Sequence, residues 1–253
     1  MRVEVIYMKY ENTEWLFTVP IAHRGLYCDG APENSRPAYL AAINEGYAIE
    51  LDVQMSSDKK LFCYHDDNLK RVCGVNRDIR DLTAEEISKL RLDGTDENIM
   101  TFGEVLELIA DKTPVLIEMK SQLYPGLEEL LAKELENYDG RFAVQSFNAT
   151  MVKRFQKLMP KVKTGVLTTR ESSDLVPKIV NFAMHRLWYG LYLKFDFLNM
   201  RIEDLPRYGK KLKKFRVICW TAKTNEDIKI AEKYAENVIF EKTVTDLGKF
   251  AKR

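Results

Sequence analysis

Histidine is nearly absent from this chain, with three in 253 residues, and neither sign of charge prevails. Thirty-nine basic residues face thirty-eight acidic ones, a net charge of +1. That balance gives no support to nucleic-acid binding as the bulk role, and no nucleic acid is expected as a partner. The basic run YGKKLKKFR (208–216) reads as a solvated helix end ahead of a strand. Four cysteines, Cys28, Cys63, Cys73 and Cys219, include no C-x-x-C pair, which excludes a zinc site or disulfide framework and leaves reduced, structural thiols. No stretch offers about 18 uninterrupted apolar residues, so no membrane span is expected. Near the N-terminus Glu4, Lys9, Glu11 and Glu14 break any signal-peptide core. A cytoplasmic protein, monomer or homodimer, is the expectation.

No linker or low-complexity tract divides the sequence either, which predicts one domain over residues 1–253. Short β-type runs alternate with amphipathic segments of helical length. The expected strands are FTVPIAH (17–23), AIELDV (48–53), PVLIEMK (114–120), FAVQSF (142–147), VKTGVLT (162–168), WYGLYLKF (188–195), RVICWTA (216–222) and NVIFEK (237–242). Helix signals lie between them: Gly46 as a C-cap, Thr101 as an N-cap, and Thr224 with Asp227 as a box-like start. Eight strands alternating with helices predict α/β architecture, a (β/α)₈ TIM barrel, rather than an open doubly wound sheet. No G-x-G-x-x-G follows the first strand, as a dinucleotide-binding sheet would require. The long gap after Asp52 predicts a small insertion, about residues 53–100, between the second strand and its helix. It contains a hairpin, QMSSDKKLFCYHDD, and a short helix, TAEEISKLR.

Strand residues two apart share a face. Glu50 and Asp52 therefore lie opposite Ile49, Leu51 and Val53, and Glu118 and Lys120 lie opposite Ile117 and Met119. Helices cover the outside of a barrel, so the charged parity points inward, although strands of parallel barrels usually read as apolar throughout. These residues also fall near the C-terminal strand ends, where barrel active sites lie. Close buried carboxylates repel, and a divalent cation is the economical answer. Oxygen ligands indicate Mg²⁺ or Ca²⁺, with Mn²⁺ also admissible, and not zinc. The competing account pairs Glu50 or Glu118 with Lys120 or Arg24; three converging acids weigh against it. His23 closes the first strand and His65 the hairpin, which places them to face each other as general acid and base. Arg24 offers a planar fork for phosphate and Lys120 a compact charge. His185 reads as structural. Together these groups describe a site for breaking a phosphorus–oxygen bond.

The sequence resembles the glycerophosphodiester phosphodiesterase family. The family pattern H-R-G, P-E-N-[ST], E-x-D, H-D-x-x-L-x-R and E-x-K stands here as HRG (23–25), PENS (32–35), ELD (50–52), HDDNLKR (65–71) and EMK (118–120), over roughly the first half of the chain. QSF (145–147) and CWT (219–221) are similar to looser landmarks further on. The resemblance implies a (β/α)₈ barrel with a small inserted subdomain and metal ligation by Glu50, Asp52 and Glu118. It also implies acid–base catalysis by His23 and His65, and phosphate contact by Arg24 and Lys120. Glu33 and Asn34 read as structural residues of their loop. Phe147 and Trp220 are candidates for walling the alcohol end of the substrate, and core packing accounts for each equally well. The second half departs from the pattern. Glu241-Lys242 replaces the usual Thr-Asp after the last strand, Ala222-Lys223 replaces Val-Asn, and YGKKLKKF replaces a His-Gly pair. The implied reaction is hydrolysis of a glycerophosphodiester to sn-glycerol 3-phosphate and an alcohol. The rivals are a lysophospholipase D type activity on lipid-tailed diesters and a non-catalytic phosphodiester-binding barrel.

Overall fold

Pro20 marks the first structural decision of the chain. Before it, the helical turn α1 (Trp15–Thr18) buries Trp15 and Leu16; after it comes β1 (Ile21–His23). The computed structural model describes residues 13–121, 125–169 and 194–251. Beyond β1 the chain forms α2 (Arg36–Glu45), β2 (Ala48–Met55) and the short strand β3 (Leu61–Cys63). The turns α3 (Lys70–Cys73) and α4 (Ala84–Ser88) follow, then α5 (Phe102–Ile109). Next come β4 (Val115–Met119), α6 (Leu127–Glu136), β5 (Phe142–Ser146), α7 (Ala149–Leu158) and β6 (Thr164–Thr168). The later strands and helices are β7 (Phe197–Arg201), α8 (Leu205–Tyr208), β8 (Val217–Ala222), α9 (Asn225–Tyr234) and β9 (Asn237–Phe240), followed by a 3₁₀ turn, Gly248–Phe250.

Eight parallel strands close on themselves in the order β1-β2-β4-β5-β6-β7-β8-β9, with β1 paired to both β2 and β9. This is a (β/α)₈ barrel. Ile49, Leu51, Val53, Ile117 and Val144 face outward to the helices and share one apolar cluster with Tyr39, Phe102 and Phe155. The inward parity is divided. At the N-terminal end of the strands Ile21, Ala48, Leu116, Phe197, Ile218 and Ile239 form a separate apolar plug, closed from below by Trp15 and Leu16. Two residues further along most strands, the inward side chains turn polar. Gly165 on β6 leaves room for this plug: a Cβ there would stand 2.1 Å from the Phe197 ring, which pairs with it across β6 and β7.

The expected caps are present. Gly46 adopts φ 64° at the end of α2, and Thr101 and Thr224 each close a full capping box. Ser35 adds an N-cap for α2. Between β2 and α5, β3 runs antiparallel to the far end of β2, pairing Val53 with Cys63 and Met55 with Leu61. The segment that follows has an apolar cluster of its own, which includes Phe62, Leu69, Ile79 and Ile87. The basic run begins at the last residue of α8 and continues as a 3₁₀ stretch, Gly209–Lys214, with its lysines exposed.

Two sequence expectations are corrected. The first strand is confined to Ile21–His23, because Trp15–Thr18 turns helical to plug the barrel. The strand expected over 188–195 is placed differently: residues 194 and 195 are not in a strand, and the barrel strand is Phe197–Arg201, in register with β6 and β8. The rest of that run, and His185, lie outside the described residues. Among the described residues, no helix is long and apolar enough to cross a membrane.

Candidate active site

Strand β1 ends on His23, and the chain then turns through two left-handed residues, Arg24 (φ 54°) and Gly25 (φ 79°). The turn packs against α2 so closely that a Cβ at Gly25 would stand 2.8 Å from the Ala38 carbonyl carbon. A non-glycine residue at positive φ is uncommon. Here it directs the Arg24 side chain across the barrel mouth. Its backbone N–H donates to Glu50 Oε2 (3.2 Å), its Nε lies 3.4 Å from Asp52 Oδ2, and its Nη1 donates to Glu33 Oε1 (2.8 Å).

Glu50, Asp52 and Glu118 converge as their spacing predicts. Each offers an oxygen within 4.8 Å of the others, and all three are buried. Asp52 on β2 is in register with Glu118 on β4, which brings the two carboxylates side by side. The cations named in the competing account are also present: Lys120 Nζ lies 3.0 Å from Glu118 Oε1 and 3.6 Å from Asp52 Oδ1. Two cations against three acids leave a surplus of negative charge. Burial and the neighbouring Asp52 and Glu118 push the Glu50 carboxyl well above its ordinary value. Asp52 is held below the carboxylate range despite its burial, because Lys120, His65, Arg24 and His23 surround it. Lys120, though buried, is pushed upward by Glu118 and Asp52. Asp52 Oδ1 is buried and meets no hydrogen-bond donor. A buried carboxylate oxygen without a hydrogen bond, beside two further acids, fits a hard divalent cation. This acidic cluster can hold one.

His65 reaches the same cavity from the segment that follows β3. The cavity encloses about 540 Å³ and is lined by His23, Arg24, Glu50, His65, Glu118 and Gln145, among others. His65 Nδ1 lies 2.6 Å from Asp66 Oδ1. Arg71 braces that carboxylate through Nε (2.6 Å) and makes a two-pronged contact with Glu33, which returns to Arg24. Gln54 Nε2 donates to the carbonyls of Tyr64, His65 and Asp66, holding the His65 loop against β2. On the opposite wall Phe147 and Trp220 meet edge to face with ring centroids 5.5 Å apart, and both line the cavity.

Glu33 and Asn34 reach the site through their protein contacts. Asn34 Nδ2 donates to Asp52 Oδ2 (3.3 Å), while Tyr39 Oη donates to Asn34 Oδ1 (2.9 Å). The sequence reading passed over Gln54, Asp66, Arg71 and Glu241. The HDDNLKR motif contained two of these, and Gln54 continues the inward parity of Glu50 and Asp52 on β2. Glu241 Oε1 lies 3.4 Å from His23 Nδ1. Burial pushes the His23 imidazole down, with Glu241 acting in the other direction.

A parallel barrel with its polar groups at the C-terminal mouth is the frame of a barrel enzyme. A profile of the glycerophosphoryl diester phosphodiesterase family matches residues 23–241. A glycerophosphodiester phosphodiesterase of Caldanaerobacter subterraneus is 32% identical over 228 residues, covering 83% of this chain and 88% of the relative. Glycerophosphodiester phosphodiesterase 1 of Homo sapiens is 28% identical, covering 89% and 77%. Among solved structures, a glycerophosphodiester phosphodiesterase of Thermotoga maritima superposes with a TM-score of 0.67 at 26% identity, covering 89% of this chain and 95% of that one. An Oleispira antarctica phosphodiesterase, solved with the product sn-glycerol-3-phosphate, superposes with a TM-score of 0.71 at 22% identity, covering 89% and 94%. The chain belongs to the glycerophosphoryl diester phosphodiesterase family.

Proposed function

We propose that this protein hydrolyses glycerophosphodiesters to sn-glycerol 3-phosphate and a free alcohol, using a divalent cation and two histidines. The observation that carries the reading is convergence: His23, Arg24, Glu50, His65 and Glu118 line one cavity, with Asp52 completing the acid cluster. The product bound in the Oleispira antarctica enzyme supports the substrate class.

Glu50, Asp52 and Glu118 would hold the cation, Mg²⁺ or Ca²⁺ by the hardness of their oxygens. When bound, it supplies positive charge to the non-bridging phosphate oxygens, whose charge the transition state carries. Arg24 and Lys120 add to that stabilisation from fixed positions. One histidine takes the proton of the attacking hydroxyl as the new phosphorus–oxygen bond forms. The other gives a proton to the alkoxide as its bond to phosphorus breaks. The attacking group is water, or the glycerol 2-hydroxyl through a cyclic phosphate that water then opens. A diester lacking the 2-hydroxyl separates the routes, since undiminished turnover rules out the cyclic one. Phe147 and Trp220 form the wall against which the departing alcohol rests.

The deciding assay measures glycerol phosphate release from a panel of diesters, with and without a chelator. Release that stops on chelation and returns with Mg²⁺ or Ca²⁺ is expected. Full activity after exhaustive chelation removes the cation from the reaction, and no release from any diester removes the reaction itself.

A further inference from the structure

Two of the places where the second half of the chain departs from the family pattern, Lys223 and Glu241, lie beyond the C-terminal ends of the adjacent strands β8 and β9. Lys223 meets Glu241, and Glu241 meets the His23 imidazole. Strand β9 pairs with β1 through Ile239 opposite Ile21 and Phe240 opposite Ala22, so the next residue along, Glu241, arrives beside His23. Its backbone N–H donates to the Ala222 carbonyl (2.9 Å), and Thr243 Oγ1 donates to the Lys223 carbonyl (2.7 Å), tying the two strand ends together. The same oxygen, Glu241 Oε1, lies 3.4 Å from His23 Nδ1 and 3.2 Å from Lys223 Nζ. The Tyr27 ring stands 6.5 Å from that of His23. Burial alone would raise the Glu241 carboxyl, but His23, Lys223 and Tyr27 hold it down at about 2, so it is ionised wherever the protein is folded near neutrality.

An imidazole that faces substrate with one nitrogen needs its proton assigned by a partner on the other. His65 has such a partner in Asp66, itself braced by Arg71. We propose that Glu241 is the positioning residue of His23: its carboxylate accepts from the Nδ1–H, which keeps the proton on Nδ1 and leaves Nε2 as the working atom, and it is itself kept in place by Lys223. Each imidazole of the pair then has a carboxylate on Nδ1 and a cation behind that carboxylate. Asp66 and Arg71 belong to the HDDNLKR motif, whereas Glu241 and Lys223 replace residues of the family pattern and make an equivalent arrangement from the other side of the mouth.

This inference rests on the reading of His23 as an acid–base group, and the test separates the two. Rates on a glycerophosphodiester are measured for Glu241→Ala, Glu241→Gln, Lys223→Met, His23→Ala and the double variant His23→Ala/Glu241→Ala. Ring ¹⁵N shifts of His23 are recorded in the labelled protein. Glu241→Ala should lower kcat by about 10- to 100-fold, the usual scale for partners of working groups, with KM nearly unchanged. Glu241→Gln, which still offers an acceptor oxygen, should recover part of that loss, and Lys223→Met should cost a few-fold. On a His23→Ala background Glu241→Ala should cost nothing further, because its effect runs through the missing ring. The shifts should place the proton on Nδ1 in the parent protein and show a mixture in Glu241→Ala. Equal losses on both backgrounds, or a proton already on Nε2 in the parent, would overturn the proposal. A His23→Ala variant with near-normal rates would instead overturn the acid–base reading of His23, and the ¹⁵N shifts would still decide the placement of its proton.

Discussion

Along β2 the inward side chains run Ala48, Glu50, Asp52; along β4, Leu116 then Glu118; along β5, Ala143 then Gln145; along β7, Phe197 then Asn199. The same strands thus build two unlike regions within one barrel. The lower region is an apolar plug sealed by Trp15 and Leu16, and its burial stabilises the fold at about 25 cal/mol per Å² of surface withdrawn from water. The upper region, a few ångströms away, gathers three acids, two imidazoles and two cations whose mutual arrangement is costly without a ligand. Stability and chemistry are therefore held by different layers of one scaffold. The comparison makes an unusual demand: substitutions above should remove activity and spare the fold, and substitutions below should do the reverse.

The largest effect is expected at the acids. Glu50→Gln or Glu118→Gln should lower the hydrolysis rate by about 10³-fold or more, the scale of a lost electrostatic stabiliser. Glu50→Gln should not lower the melting temperature of the metal-free protein, because it relieves the crowding of three buried acids, whereas Glu118→Gln weakens the 3.0 Å contact with Lys120 and should lower it slightly. Adding Mg²⁺ or Ca²⁺ should stabilise the parent by about 2.7 kcal/mol at a hundredfold excess over Kd, read as a raised melting temperature, and should fail to do so in Glu50→Gln. A melting temperature that collapses in either variant would show that the acids hold the barrel together. Next come His23→Ala and His65→Ala, each expected to lower kcat by about 10²-fold or more with normal melting. A small loss from either takes that residue out of the reaction.

These upper-layer residues were legible in the sequence because a period of two is unambiguous when charges alternate with Ile, Leu and Val, as in AIELDV and VLIEM. The HRG and HDDNLKR motifs marked their strand and loop ends equally well. The seventh barrel strand was not legible. WYGLYLKF has the aromatic and aliphatic alternation of a strand, whereas Phe197–Arg201, FLNMR, places Asn199 in the polar layer inside the barrel. The helical turn Trp15–Thr18 was hidden for a related reason: WLFT is apolar enough for a strand, and only the need to close the barrel floor makes it a helix. Glu241 stood out in the sequence only as a departure from a pattern. Its place beside His23 exists because the last strand closes against the first, a contact between residues 21 and 239 that no local spacing encodes.

The lower layer gives the converse test. Leu116→Ala and Ile218→Ala, both fully buried in the plug, should each cost about 2–5 kcal/mol in urea unfolding. Gly165→Ala should cost about 1–3 kcal/mol by overpacking, since the added methyl must displace the Phe197 ring. Activity per folded molecule should stay close to that of the parent in all three. A large kcat loss in Leu116→Ala, two residues below Glu118, would mean that the layers are coupled and that the plug sets the position of the acids.

The smallest effect is expected where the comparison blurs, in the ion-pair chain that joins the mouth to the segment after β3. Burial would raise the Glu33 carboxyl, but Arg71 and Arg24 hold it below its ordinary value. A carboxyl whose folded value lies below its unfolded one binds fewer protons when folded. It therefore adds stability above its unfolded value of about 4.3, and that contribution is lost as pH falls through the folded value. Glu33→Gln should accordingly cost about 1–3 kcal/mol at pH 7, the scale of a broken buried pair with one exposed partner, and flatten the loss of stability on acidification. Melting curves from pH 7 to pH 3 measure both quantities. If Glu33→Gln melts in parallel with the parent across that range, the network contributes position alone: it holds Arg24 over the acids and His65 over the cavity without stabilising the fold.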